Sequence, residues 1–311
     1  MSDLLTRFCV GIFLLLLSTH YFVDFAKKIS NALKISPLII GTTLVALGTS
    51  LPELSVSLVA VFKNDFGLAF GNIIGSNVAN ILLVLPVGII IGKLRIGTKK
   101  TQINAYLLLI TTGIFIFSQK AGYPSLSGIL LITLAILVTF LEYKWAVFGQ
   151  THEDKSQFKN YKKLHLGAAS LVFTVISLLG IISGGYLIVS SVENISLATG
   201  LSTTFLGLTL TAIVTSLPEL LTTIFSQEED QEKITIGNII GSNIYNLLFI
   251  GGLITLFSPT KNLLIGDLIW LIITTIFFVY ILKHYKGKPV PRRIGALLLL
   301  VFIIYLYSLK Q

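Results

Sequence analysis

GTTLVALGTSLPEL, residues 41–54, returns without a gap as GLTLTAIVTSLPEL at 207–220, identical at 10 of 14 positions. A second stretch, GNIIGSNVAN at 71–80, returns as GNIIGSNIYN at 237–246, identical at 8 of 10 and displaced by the same 166 residues. Two motifs repeated in order at one offset mean that the chain is built twice from one plan, and every functional residue must be read as a pair.

Working outward, these motifs lie in apolar runs. Hydrophobic residues make up 54% of the 311, charged ones 12%, and the mean hydropathy is +0.87. Water cannot solvate such a chain; a lipid bilayer is its solvent. Runs long enough for about 30 Å of hydrocarbon at about 1.5 Å per residue recur throughout. Ten are predicted, near 4–25, 37–62, 66–91, 102–118, 126–141, 166–190, 203–225, 234–256, 263–282 and 294–309. The first motif pair falls in helices 2 and 7 and the second in helices 3 and 8, so each half holds five spans. An odd number inserts the second half upside down relative to the first. The predicted fold is therefore an all-α integral membrane protein of ten transmembrane helices arranged as two inverted five-helix repeats, residues 1–141 and 166–311. A polar segment, 142–165, links them and is too short to fold as a regulatory domain. Inverted repeats are the architecture of secondary transporters, with the binding site at the repeat interface near the midplane.

The net charge of +9 follows from loop composition and implies no nucleic-acid partner. With the N-terminus outside, 18 of the 23 Lys and Arg residues fall on the cytoplasmic side, which predicts a multi-pass plasma-membrane protein with both termini on the non-cytoplasmic side. Cys9 has no partner cysteine, so a disulfide framework is excluded and the residue is expected to pack. His20, on an apolar helix, is expected to be buried and hydrogen-bonded. The acidic run Glu228, Glu229, Asp230, Glu232 reads as a solvated loop, and no obligate protein partner is evident.

Glu53 and Glu219 are the acids placed well inside the hydrocarbon zone; Asp24, Glu193 and Asp267 lie near predicted helix ends. An intramembrane carboxylate is costly and marks function. Ala46, Thr49, Ser50 and Glu53 fall on one helical face, as do Ala212, Thr215, Ser216 and Glu219. Pro52 and Pro218 offer no N–H to the carbonyls of Gly48 and Val214, so each helix is expected to kink or unwind beside its carboxylate, freeing backbone oxygens. Helices 3 and 8 add Asn72, Ser76, Asn80 and Asn238, Ser242, Asn246 at i, i+4, i+8, while Gly71, Gly75, Gly237 and Gly241 allow close helix packing. Carboxylates, hydroxyls, amides and carbonyls without His or Cys suit hard cations such as Ca²⁺ or Na⁺. No resident cofactor is expected, because the ions are cargo.

At these residues the chain resembles the sodium/calcium exchangers of the cation/calcium antiporter superfamily, especially small prokaryotic members. The two TSLPE and two GNIIGSN motifs carry the resemblance, and it extends over the whole chain. It implies electrogenic exchange of several Na⁺ for Ca²⁺, with helices 1 and 6 as a sliding gate. It further implies that Glu53 and Glu219 hold Ca²⁺ with the carbonyls of Thr49 and Thr215. Na⁺ would use the hydroxyls of Thr49, Ser50, Ser76, Thr215, Ser216 and Ser242 with the carbonyls of Ala46 and Ala212. Two positions depart from the pattern: Val214 replaces an expected glycine, and Asn246 stands where many members carry aspartate. The second departure leaves two acids and weakens the case for K⁺ cotransport. Three other functions remain open at this stage. A proton-coupled divalent-cation antiporter would use the same acids. A passive channel fits the kinked inverted repeat less well. An intramembrane enzyme lacks a base, since neither His nor Lys stands in the motif helices to activate Ser50 or Ser216.

Overall fold

A computed structural model describes residues 2–32, 46–92, 94, 99–121, 123–148, 168–228, 232–258, 265–286 and 288–309. The described residues are helical throughout, with short connections and no strand. Helix α1 is Ser2–Ala32. Helix α2 comprises Ala46–Thr49 and Leu51–Phe62, joined through Ser50. Helix α3 runs Phe66–Ala79, widens into a π turn over Asn80–Val84 and continues as Leu85–Ile91. Helices α4, α5 and α6 are Lys99–Lys120, Pro124–Phe148 and Ala168–Thr199. Helix α7 starts as Thr203–Leu206, passes a π turn at Gly207–Thr211, and continues as Ala212–Thr215 and, beyond Ser216, Leu217–Glu228. Helix α8 is Glu232–Tyr245, a π turn at Asn246–Ile250, then Gly251–Phe257. Helices α9 and α10 are Ile265–His284 and Arg292–Ser308.

Among the described residues, eight of these rods, α1 and α3 to α9, contain a stretch long and apolar enough to cross a membrane. Burial sorts them. The apolar stretches of α3 and α8 are 83% buried, against 22% for α5 and 28% for α1, so the helices that carry the GNIIGSN motifs form the centre of the bundle. Outer rods turn large apolar side chains such as Phe13, Phe117, Ile136 and Ile303 outward, as a protein in lipid does.

Small residues set the spacing at the centre. A Cβ on Gly75 of α3 would lie 2.6 Å from the Leu208 carbonyl oxygen and 2.6 Å from the Ala212 Cβ on α7, so the two backbones meet there as the small-xxx-small pattern predicts. Likewise a Cβ on Gly184 of α6 would lie 2.8 Å from the Leu15 nitrogen of α1. The α2–α3 corner turns through Asn64, whose positive φ of 61° suits asparagine. Beyond it, Asp65 accepts from the Leu68 N–H at 2.9 Å and from the Thr203 hydroxyl at 2.9 Å, capping α3 and fastening the start of α7. Lys63 at the same corner donates to Glu193 at 2.6 Å and to Ser190 at 3.0 Å on α6.

Several local expectations change. Helix α5 continues to Phe148, so the linker's first residues are helical. Residues 149–167 lie outside the described residues, as do 33–45, including the start of the first motif, and Glu229 and Asp230 of the acidic run. Cys9 and His20 are exposed rather than packed. Asp267 and Glu142, near helix ends, are nevertheless buried, at 3% and 8% exposure.

Replacing Gly75 with alanine forces the α3 and α7 backbones apart and is expected to cost about 1–3 kcal/mol. Gly113→Ala, where a Cβ meets nothing within 4 Å, is expected to be neutral or stabilising by roughly 0.5–1 kcal/mol. Thermal unfolding of the detergent-solubilised variants, read as loss of the monodisperse species, separates the two outcomes.

Candidate cation site at the repeat interface

The helix breaks expected at the prolines are present. Ser50 (φ −86°, ψ 5°) and Ser216 (φ −80°, ψ 3°) leave helical geometry one residue before the segments that begin Leu51-Pro52 and Leu217-Pro218. Each break places a Thr and a Ser before it and a Glu one turn after it, all pointing into the centre of the bundle. Glu53 and Glu219 are both at 0% exposure, Thr49 and Thr215 at 2% and 0%, and Ser50 and Ser216 at 3% and 1%.

Contacts across the two halves are reciprocal. The Thr49 hydroxyl donates to Asn238 Oδ1 at 3.1 Å and lies 3.3 Å from Ser242 Oγ. The Thr215 hydroxyl donates to Asn72 Oδ1 at 3.2 Å and lies 3.1 Å from Ser76 Oγ. Each threonine also reaches a carbonyl of its own helix, Ala46 at 3.3 Å and Ala212 at 3.4 Å. Thus the broken helix of one half binds the central helix of the other. The carboxylates sit inside this ring: Ser242 Oγ donates to Glu219 Oε1 at 3.2 Å, and Ser76 and Thr215 flank Glu53. Glu53 and Glu219 are close enough to repel one another when both are ionised.

Partnerless oxygens gather here, beside the partnerless amide nitrogens of Asn238 and Asn246. Both carboxylate oxygens of Glu53, Oε2 of Glu219, the hydroxyls of Ser50 and Ser216 and the amide oxygens of Asn80 and Asn246 are buried without a hydrogen-bond partner. Buried polar atoms are normally paired, and a carboxylate oxygen can only accept. The complement of such a cluster is therefore a hard cation, which takes oxygens from carboxylates, hydroxyls, amides and carbonyls alike. Among the described residues, no group of three or more His, Cys, Asp or Glu side chains gathers anywhere, so a thiolate or imidazole metal centre has no ligands there.

Every residue predicted to line the cation site is buried. Thr49, Ser76, Thr215, Ser242, Glu219 and the carbonyls of Ala46 and Ala212 are joined by the hydrogen bonds above. Asn72 also donates to the Glu53 carbonyl at 3.2 Å and to Ser57 at 3.1 Å. Asn80 and Asn246 each open a π turn, a feature found often at functional sites. Asn80 donates to Asn243 Oδ1 at 2.9 Å, and Asn243 donates to the Asn77 carbonyl at 3.2 Å. Asn243 thus ties α8 to α3 directly, through the Asn80 side chain and the Asn77 carbonyl, while the Asn77 side chain donates within α3 to the Ile73 carbonyl at 2.7 Å. The role of Asn243 is missed by following only the i, i+4, i+8 face; the available signal was the asparagine shared by both copies of GNIIGSN. Val214 is buried at 7% exposure and packs in the apolar core.

The family described as sodium/calcium exchanger protein matches residues 4–144 and 169–310. The uncharacterized membrane protein MJ0091 of Methanocaldococcus jannaschii is 32% identical over 98% of this chain and 97% of its own length. The sodium/calcium exchanger MaX1 of Methanosarcina acetivorans is 28% identical over 96% of each. A solved structure of the sodium-calcium exchanger NCX_Mj, soaked with 2.5 mM Na⁺ and 0.1 mM Ca²⁺, superposes with a TM-score of 0.68 at 30% identity, covering 99% of both chains.

Removing the cross-half amide with Asn243→Ala leaves Asn80 Nδ2 without its acceptor and loosens α3 against α8. The expected result, by analogy with outer-shell partners of metal ligands, is a roughly 10–100-fold loss of divalent-cation affinity, measured by calorimetric titration of the purified protein.

Proposed function

Since the chain belongs to the sodium/calcium exchanger family, we propose that it is a secondary active antiporter that carries Ca²⁺ one way across the membrane in exchange for Na⁺, by alternating access. The observation that carries this reading is the pair of fully buried carboxylates, Glu53 and Glu219, held among partnerless oxygens where the halves contact each other reciprocally. In this reading the chain forms ten membrane-crossing helices as two inverted repeats, 1–141 and 166–311, joined by the 142–165 linker. It lies in the plasma membrane with both termini on the non-cytoplasmic side.

Glu53 and Glu219 neutralise the two charges of Ca²⁺, assisted by the carbonyls of Thr49 and Thr215. Na⁺ ions are held by the hydroxyls of Thr49, Ser50 and Ser76 and of Thr215, Ser216 and Ser242, with the carbonyls of Ala46 and Ala212. Asn80 and Asn246 contribute neutral amide oxygens. Two ionised carboxylates in a site without a cation face a desolvation cost and mutual repulsion that the Ser242 hydroxyl on Glu219 offsets only in part. The loaded states, with Ca²⁺ or with Na⁺, are stabilised relative to the bare one, and the protein crosses between its two open forms when loaded. Coupling of the two fluxes follows from that preference, and the chemistry breaks no covalent bond.

Radiolabelled Ca²⁺ uptake into proteoliposomes loaded with Na⁺, compared with K⁺ or choline, tests the proposal. Uptake is expected to require internal Na⁺ and to be abolished by Glu53→Gln, which keeps the shape and removes the charge. Uptake indifferent to Na⁺ and driven instead by an imposed pH gradient would replace Na⁺ with protons as the coupling ion.

A further inference from the structure

Away from the cation site, a groove of about 440 Å³ opens between α3, α9 and α10, lined by Leu82, Trp270, Ile273, Phe277, Tyr280 and Val301 without a polar surface. Ile273 and Tyr280 at its mouth are 53% and 57% exposed, so the groove opens outward from the bundle, where the bilayer's acyl chains lie. At one end an aromatic row leaves it: Phe277 stacks on Tyr280 at 6.4 Å, and Tyr280 on His284 at 5.7 Å. Tyr280 is one turn from the end of α9, and an aromatic belt of this kind marks headgroup depth.

The α9–α10 connection begins there, and its charge has one sign. Lys283 lies in the last turn of α9, Lys286 and Lys288 stand in the turn, and Arg292 and Arg293 open α10; all five are exposed. No Asp or Glu occurs after Asp267, and among the described residues none of the five makes an ion pair. The turn is held in place, since the Val290 N–H donates to the Leu94 carbonyl at 3.0 Å beyond the end of α3, the helix that supplies Leu82 to the groove. A cluster of cations on an anchored connection therefore sits about one helical turn beyond a lipid-facing apolar groove.

We propose that this groove and turn form a specific site for an anionic diacyl phospholipid, one acyl chain lying along Trp270, Ile273 and Phe277 and the phosphate at Lys286, Lys288 and Arg292. Basic clusters at the membrane surface attract anionic headgroups, and the arginine fork suits phosphate oxygens. The apolar groove adds what a surface cluster lacks, namely selection for a molecule with both a chain and a charge.

Native mass spectrometry of the full-length protein in uncharged detergent, with phosphatidylglycerol or phosphatidylcholine as probe, tests this. Phosphatidylglycerol is expected to be retained and phosphatidylcholine not. The triple variant Lys286→Gln, Lys288→Gln, Arg292→Gln is expected to lose roughly 100-fold in phosphatidylglycerol affinity. Ile273→Trp, which fills the groove and alters no charge, is expected to weaken it as well, and soluble glycerol phosphate is expected not to compete. A monodisperse elution peak establishes that each variant folds, and the single variants Lys286→Gln and Lys288→Gln, each expected to weaken phosphatidylglycerol binding by a smaller factor, substitute for the triple variant if that one does not. Equal retention of the two lipids, unchanged binding in Ile273→Trp, or competition by glycerol phosphate would each overturn the proposal.

Discussion

Taking a carboxyl group from water into a dry interior is costly whether it keeps its charge or gives it up, and this bundle does so twice, at Glu53 and Glu219. Among the described residues, neither acid is paired with a basic side chain; the groups around them are hydroxyls, amides and backbone carbonyls. A protein seeking only stability would place an arginine or an apolar side chain there. The rest of the architecture follows from keeping those acids at the centre. The most buried rods, α3 and α8, surround them with polar side chains, and the peripheral rods separate that polar centre from lipid.

Broken helices reconcile this centre with its surroundings. In hydrocarbon, irregular backbone is tolerated where protein encloses it. The breaks at Ser50 and Ser216 and the π turns at Asn80–Val84, Gly207–Thr211 and Asn246–Ile250 all carry buried residues. Tyr305 on α10 donates its hydroxyl to the Leu208 carbonyl at 3.3 Å within one of these π turns, so an outer helix adds a hydrogen bond to the backbone inside the distortion. Local helix distortion and distant packing are thereby linked, and neither is explained by propensity alone.

The two acids, the proline breaks and the doubled motif were legible in the sequence because each is a local violation with a large cost: a charge in an apolar run, or a missing N–H in a helix. The role of Asn243 was not, because its contacts with Asn80 and Asn77 depend on how α3 and α8 are rotated against each other. A helical wheel also assumes an unbroken period, and the π turns that begin at Asn80 and Asn246 change it. Cys9 and His20 were placed inside for a different reason. Lipid is as apolar as a protein core, so hydropathy cannot tell the outward face of α1 from its inward one. Asp267 and Glu142 are buried, which their position at the end of an apolar run does not reveal.

The reciprocal contacts of Thr49 with Asn238 and Thr215 with Asn72 have the form of an isologous interface, the kind by which two identical subunits associate. Here both partners belong to one polypeptide, so their encounter is intramolecular and its effective concentration is set by chain connectivity and not by expression level. A homodimer of half-length chains would lose its central cluster on dilution and would have to keep both copies identical. Covalent tethering removes both restrictions. Val214 where the first half has Gly48, and Tyr245 where it has Ala79, show that the halves have used that freedom to become different from one another while still meeting through the same paired contacts.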